Sequence, residues 1–367
     1  MPVSFVDLIR QNQLHRAEYT RAINQVVKSA DFILGKPVEQ FESAFAKFCG
    51  TKYCISLNSG TDALEFALRA VNIGPKDEVI TAPNSYFSSA MVITKIGATP
   101  VFADIDPQTY TLNATKVAQA ITSRTRAIIP VHLCGQSADM DPLINLAQKY
   151  KLTIIEDCCQ AHGAKYKGKT VPITGLGAFS FYPGKNLGSF GDGGALVTNS
   201  LRIATMVQQL RNDGSLKKYH HQIIGSKSRL DTIQASILNI KLKYLRSWNT
   251  QRQRHARLYQ QLLKHIPQIK IHSQAEYAYH IYHLFMIEVP HRDKLQQYLS
   301  SKGISTVIHY PIPIHLQPAY KNLGYHRGDF PVTEAAAKHI LSLPMFPELK
   351  TSEIRYVAST IHEFYSR

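Results

Sequence analysis

Between residues 38 and 200, short β-branched runs alternate with stretches whose apolar residues recur at helical spacing. Val38, Phe41, Phe45 and Phe48 mark one helical face. A strand follows from Tyr53 to Leu57, then a helix from Thr61 carrying Leu64, Ala67, Leu68 and Val71, then a strand from Glu78 to Thr81. Further strands read at Val101 to Asp104, Ala127 to Val131, Thr153 to Glu156, Gly177 to Phe181 and Gly194 to Thr198, with helices near Asn113 to Ile121 and Met140 to Lys149. Such alternation predicts an α/β domain on a mainly parallel sheet covered by helices on both faces. After about residue 245 the pattern changes to a long polar helix from Arg246 to Leu263, strands at Tyr282 to Val289 and Ser305 to Ile308, and helices near Arg292 to Lys302 and Thr351 to Glu363. The predicted division is a large domain over residues 1–245, with a helical arm at its N-terminus, and a smaller α+β domain over 246–367.

In open parallel sheets the ligand crevice lies beyond the carboxyl ends of the strands, and the chain places its most suggestive residues there. The strand ending at Leu57 breaks into Asn58, Ser59, Gly60, Thr61 and Asp62 before a helix begins, so small residues and free helix amides offer a cradle for an anion. The strand from Leu152 to Glu156 is closed by Asp157, and a Gly/Pro loop from Ser180 to Asn186 carries Lys185. An amine and a carboxylate so placed supply two parts of a pyridoxal phosphate site, which needs a Schiff-base lysine and an acid beside the ring nitrogen. Taken singly, Ser-Gly-Thr is more often an ordinary N-cap and a loop lysine is more often solvated; their order along one α/β chain gives them weight.

The stretches Ser59 to Leu64, Gly97 to Asp104, Val131 to Leu133, Asp157 to Ala164, the lysine loop through Gly191 to Gly194, and Arg229 to Asp231 together resemble the DegT/DnrJ/EryC1/StrS family of pyridoxal-phosphate sugar aminotransferases, over nearly the whole chain. The resemblance implies an aspartate aminotransferase-like fold, fold type I of the pyridoxal phosphate enzymes, with a large, mainly parallel seven-stranded sheet domain and a smaller C-terminal α+β domain. It implies that Lys185 bonds the cofactor and then shuttles a proton, and that Asp157 pairs with the pyridinium nitrogen. Gln160 would meet the ring hydroxyl, and Tyr86 would stack on the ring with Phe87 as its near competitor. Gly60, Thr61 and Ser180 would hold the phosphate. His162 would order this loop. Family dehydratases carry histidine at the position of Lys185, so lysine argues for amino transfer.

In the family an asparagine from the neighbouring subunit completes the phosphate pocket, and the matching position here is Lys227; either Lys227 reaches the phosphate or Arg229 takes over. A homodimer with shared sites is implied. The substrate end of the cleft would use Tyr182, Lys218, Tyr219, Arg229, His309, Tyr310 and His315, whose charges and phenols suit a nucleotide's phosphates and a sugar's hydroxyls. The implied reaction moves an amino group from L-glutamate, which leaves as 2-oxoglutarate, to a keto group of a nucleotide-linked sugar. The branch most resembled acts at C3 of a dTDP-3-keto-6-deoxyhexose, on the way to amino sugars of a surface polysaccharide or a glycosylated metabolite. A 4-keto or UDP-linked sugar is the rival acceptor, and a regulatory or binding protein without catalysis is the rival class.

Composition trims these options. Lys and Arg number 42 against 26 Asp and Glu, a net +16 that would suit an anionic partner, but the charges are scattered and no nucleic-acid module is recognisable. The N-terminus lacks a secretory pattern and no apolar run approaches a membrane span, which predicts a soluble cytoplasmic protein. Cys49, Cys54, Cys134, Cys158 and Cys159 include no CxxC pair and no zinc spacing, so reduced thiols without disulfide or structural metal are expected. A zinc reading of His309 and His315 fails because prolines interrupt the segment between them.

Overall fold

The computed structural model describes residues 2–272 and 274–366. Its centre is a sheet of seven strands among the described residues, in the order Tyr53–Leu57, Gly194–Thr198, Leu176–Ser180, the segment 153–157, Thr125–Ile129, Glu78–Thr81 and Thr99–Phe102. Segment 153–157 carries the sheet across its middle. Its first residues pair parallel with Ala127 and Ile128, its last pair parallel with Gly177 and Ala178, and Val131 bridges Asp157. Gly194–Thr198 runs antiparallel to both of its neighbours, and the other pairings are parallel. The seven-stranded, mainly parallel sheet implied by the family resemblance is thus present.

Side chains on a strand alternate between faces, and both faces here are apolar. Ile55, Leu57, Ala178 and Leu196 join one core with Leu64 and Phe66 of helix Gly60–Ala70. Cys54, Phe179, Ala195 and Val197 join another with Phe41 and Phe45 of helix Lys36–Cys49. In that second core Phe45 lies 5.0 Å from Phe179 and 5.2 Å from Phe181, edge to face in both cases, an arrangement that the ring quadrupole favours. The predicted helices near 113–121 and 140–149 form at Ala114–Ala120, with Asn113 as N-cap, and at Met140–Tyr150.

The long helix begins at Thr232, not Arg246, and runs to Leu263. Its first half carries Ala235, Leu238 and Leu245 into the core around Phe41. Its second half carries Ala256, Tyr259 and Leu263 into the core of the smaller domain. The expected boundary at 245 therefore falls inside one continuous helix, whose early turns are apolar on several faces and so show no single-face periodicity. The N-terminal residues also differ from expectation. Val3 bridges Ile304 and sits in the smaller domain's core, with its amide donating to Gly303 O at 2.9 Å. That domain pairs Phe285–Glu288 between Lys270–Ile271 and Ile340–Leu343, all antiparallel, under helices Arg292–Ser301 and Thr351–Tyr365. The strand expected at 305–308 reduces to a single bridge between Val307 and Ser342.

All five cysteines are free thiols, and four of them are buried. Among the described residues no helix is long and apolar enough to cross a membrane. Phe45 is fully buried between two elements, so Phe45→Ala should destabilise the protein by about 3–5 kcal/mol, read as a lower urea midpoint at unchanged slope; a change under about 1 kcal/mol would show that this contact does not hold the helix to the sheet.

Candidate active site

A cavity of about 630 Å³ opens at the carboxyl ends of the central strands, lined by Ser59, Gly60, Thr61, Asp157, Gln160, Ser180 and Lys185 among others. Three local structures deliver these groups. Ser59 is the N-cap of helix Gly60–Ala70, its hydroxyl accepting from the Asp62 amide at 3.1 Å. Gly60 has to be glycine: a Cβ there would stand 2.7 Å from Cys159 Sγ and 2.8 Å from Ser180 Cβ. Without a side chain at Gly60 the first turn of the helix packs against Cys159 and Ser180 at the cavity wall, where the positive end of the helix dipole favours an anion. Thr61 donates to Ser88 Oγ at 2.9 Å.

Asp157 ends the central strand and is buried, with Oδ2 accepting from Ser89 Oγ at 2.8 Å and Oδ1 from the Cys159 amide at 3.1 Å. Beneath it lies a closed polar network. His132 Nδ1 accepts from the Ala138 amide at 3.0 Å, so Nε2 carries the proton and donates to Glu156 Oε2 at 2.9 Å. Glu156 also accepts from the amides of Ile173 and Thr174 and from Thr174 Oγ1. His132, Glu156 and Cys158 lie close enough together to hold an ion, yet both histidine nitrogens and both carboxylate oxygens are already bonded to protein, and the group reads as a brace for the strand end.

Lys185 sits in the loop after strand Leu176–Ser180 and lines the same cavity as Asp157. Burial is the largest influence on it and disfavours the ammonium; negative charge from Cys159 and Asp157 opposes this, and the balance lowers its pKa. Burial also pushes the Cys159 thiol well up, so Asp157 is left as the opposing group. The loop is anchored on both sides. His162 Nε2 donates to Ser180 O at 2.9 Å, and burial pushes that imidazole down to about 3, so it stays neutral and structural. Ser189 Oγ donates to Phe181 O, and Lys241 Nζ donates to Gly188 O, both at 2.7 Å.

Of the other residues singled out in the sequence, Tyr86, Tyr182, His309 and Tyr310 line this cavity. Gln160 is engaged at both ends, accepting from the Cys134 amide at 2.7 Å and donating to Tyr310 Oη at 3.2 Å. Phe87 turns away and packs 5.3 Å from Tyr320. His315 is elsewhere: it is buried against Phe330 and bonded to Glu334 Oε1 at 3.2 Å, which corrects its assignment to the cleft. Lys218, Tyr219, Lys227 and Arg229 also stand outside the cavity of their own chain. Lys218 and Tyr219 form the turn between strands Ser215–Lys217 and His220–His221, Lys227 pairs with Asp213 at 3.6 Å, and Arg229 donates to Asn212 Oδ1 at 3.0 Å. Ser228 nonetheless ties this segment to the cradle, donating to Asp62 Oδ2 at 2.6 Å and accepting from the Asn58 amide.

Nothing local in the sequence marks Phe5, Val6, His283 or Val307 as site residues, yet all four line the cavity, as do Ser88 and Cys159 from segments the sequence places at the strand ends. Ser89 was equally unmarked. Cys159 lies between Asp157 and Gln160, and the serines follow the pair Tyr86-Phe87; Phe5 and His283 arrive from distant parts of the chain, with Phe5 stacked 5.7 Å from His309.

The comparisons with known proteins agree with this geometry. A protein 44% identical over 100% of this chain and 99% of its own length is the "Pleiotropic regulatory protein" of Geobacillus stearothermophilus. Another, 44% identical over 99% of each chain, is the dTDP-3-amino-3,6-dideoxy-alpha-D-galactopyranose transaminase of Aneurinibacillus thermoaerophilus. Among solved structures, S. venezuelae DesV in complex with a ketimine intermediate superposes with a TM-score of 0.98 at 43% identity, covering 100% of both chains. NtdA from Bacillus subtilis with bound cofactor PMP superposes at 0.93 with 29% identity, covering 100% of this chain and 86% of its own. The model of the DegT/DnrJ/EryC1/StrS aminotransferase family matches residues 13–362, and the chain belongs to that family.

Proposed function

We propose that this chain is a pyridoxal phosphate-dependent aminotransferase that moves an amino group from L-glutamate to the C3 keto group of a dTDP-3-keto-6-deoxyhexose. The observation that carries it is the convergence of Lys185, Asp157 and the Gly60–Thr61 cradle on one cavity. The residues fit the cofactor. A helix N-terminus held against Ser180 and Cys159 by the bare Cα of Gly60 suits its phosphate; a carboxylate already oriented by Ser89 and the Cys159 amide suits a protonated ring nitrogen; and an amine shifted toward neutrality by burial suits attack on an aldehyde. When bound, pyridoxal phosphate supplies the electron sink for amino transfer. Lys185 holds the cofactor and, once free, moves the proton to and from the reacting carbon. Asp157 would keep the ring nitrogen protonated, Tyr86 would pack against the ring, and Gln160 would bond its hydroxyl. Gly60, Thr61 and Ser180 would hold the phosphate, while Tyr182, His309 and Tyr310 would take the sugar end.

Two subunits would share each site. Lys218 and Tyr219 occupy a hairpin outside the cavity of their own chain, and the side chains of Tyr219 and Ile224 are 83% and 86% exposed, large apolar groups left uncovered in the single chain. A second copy is the partner it fits, carrying Lys218, Tyr219, Arg229 and Lys227 toward the neighbouring cradle. A regulatory reading has the +16 charge and the name of one relative on its side; the coincidence of Lys185 and Asp157 in one cavity favours catalysis.

Incubated with 2-oxoglutarate and a panel of dTDP- and UDP-linked amino sugars, the protein should form glutamate fastest with a dTDP-3-amino-6-deoxyhexose. Turnover confined to UDP-sugars or 4-amino sugars would shift the assignment, and none at all would refute it. Subunit sharing predicts that Lys185→Ala and a triple variant Lys218→Glu, Tyr219→Ala, Lys227→Glu, each inactive alone, regain activity when mixed and refolded together, since one site of each hybrid dimer is then intact; a mixture as inactive as its parts would place each hairpin's role within its own chain.

A further inference from the structure

Four polar groups form a directed chain that ends in the cavity wall. The carbonyl of His162 can only accept, so the Asn249 atom 2.8 Å from it is Nδ2. Asn249 Oδ1 therefore faces Asn186, whose Nδ2 donates to it at 2.9 Å. Asn186 Oδ1 is then left to face His283 Nδ1 at 3.1 Å, and it too can only accept. The proton of the neutral imidazole must sit on Nδ1, and Nε2 carries a lone pair. Burial, followed by the positive charges of Lys185 and Arg252, holds this imidazole well below its usual range, with His309 and His162 adding to the effect. His283 lines the cavity together with Lys185, and no protein hydrogen bond reaches its Nε2 among the described residues.

An acceptor without a donor on the wall of a reaction cavity awaits a donor from the ligand. The two substrates proposed above differ in what they can offer. The carboxylates of glutamate are acceptors only and cannot bond a lone pair, whereas a hexose presents hydroxyl donors beside the carbon that exchanges its amino group. Resting on that proposed reaction, we infer that His283 is a specificity-determining residue for the sugar half of the cycle, with Nε2 receiving a hydroxyl hydrogen of the sugar and offering nothing to the carboxylates of glutamate. The amide chain from His162 through Asn249 and Asn186 is what fixes this preference, since a reversed ring would present an N–H and favour the carboxylate instead.

The two half-reactions separate this role from a structural one. Followed by absorbance in single turnovers, His283→Phe should slow the reaction with a dTDP-3-amino-6-deoxyhexose about tenfold or more and leave the glutamate reaction within about twofold, while His283→Gln, whose side-chain carbonyl also accepts, should recover most of the loss. Nitrogen-15 NMR of the histidine-labelled, cofactor-free protein should report a neutral Nδ1–H tautomer for His283. Equal slowing of both half-reactions, no slowing of either, or an Nε2–H tautomer would overturn the inference. Wild-type protein that reacts with glutamate but with no amino sugar would instead overturn the proposed acceptor, and this role with it, while the tautomer measurement would stand on its own.

Discussion

The Asp157 carboxylate is fixed at the end of the central strand, in the wall of a cavity shared with a lysine that burial drives toward neutrality. Most other features serve to keep that pair in place. A lysine shielded from water loses hydration of its charge, and a carboxylate nearby returns part of it; the balance decides whether the amine is available as a nucleophile. Both groups are set by backbone: Asp157 by parallel pairing on either side of segment 153–157, and Lys185 by a loop held through Ser180, Phe181 and Gly188.

The braces behind the pair are polar networks inside apolar cores. His132 and Glu156 leave no open valence beneath the strand end, and Asn186 and Asn249 do the same behind the lysine loop. A half-satisfied network at either place would cost more than an apolar substitute. The cavity's far wall comes from the other end of the chain. The smaller domain brings His283, Val307, His309 and Tyr310, and the N-terminal segment brings Phe5 and Val6, so the site closes only when both cores have formed.

Much of this was legible in the sequence because it is local. Alternating runs marked the strands, Ser59 before an amphipathic helix marked the cradle, and an acid ending a strand with a lysine in a later Gly/Pro loop marked the pair. Long-range placement was not legible. His315 and His309 look alike in the sequence, six positions apart, but one is buried against Phe330 and Glu334 while the other reaches the cavity. The first turns of helix Thr232–Leu263 were missed because burial on several faces erases the period that identifies a surface helix. His283 had no local mark at all, since its orientation is inherited from a carbonyl at residue 162.

The most direct measurement is mass spectrometry of the holoprotein after borohydride reduction and proteolysis. The account predicts that the reduced cofactor is found on the peptide containing Lys185 and on no other, and that Asp157→Asn greatly weakens cofactor retention while leaving that attachment site unchanged. Cofactor fixed to a different lysine, or none fixed by a protein that turns over its substrates, would contradict it.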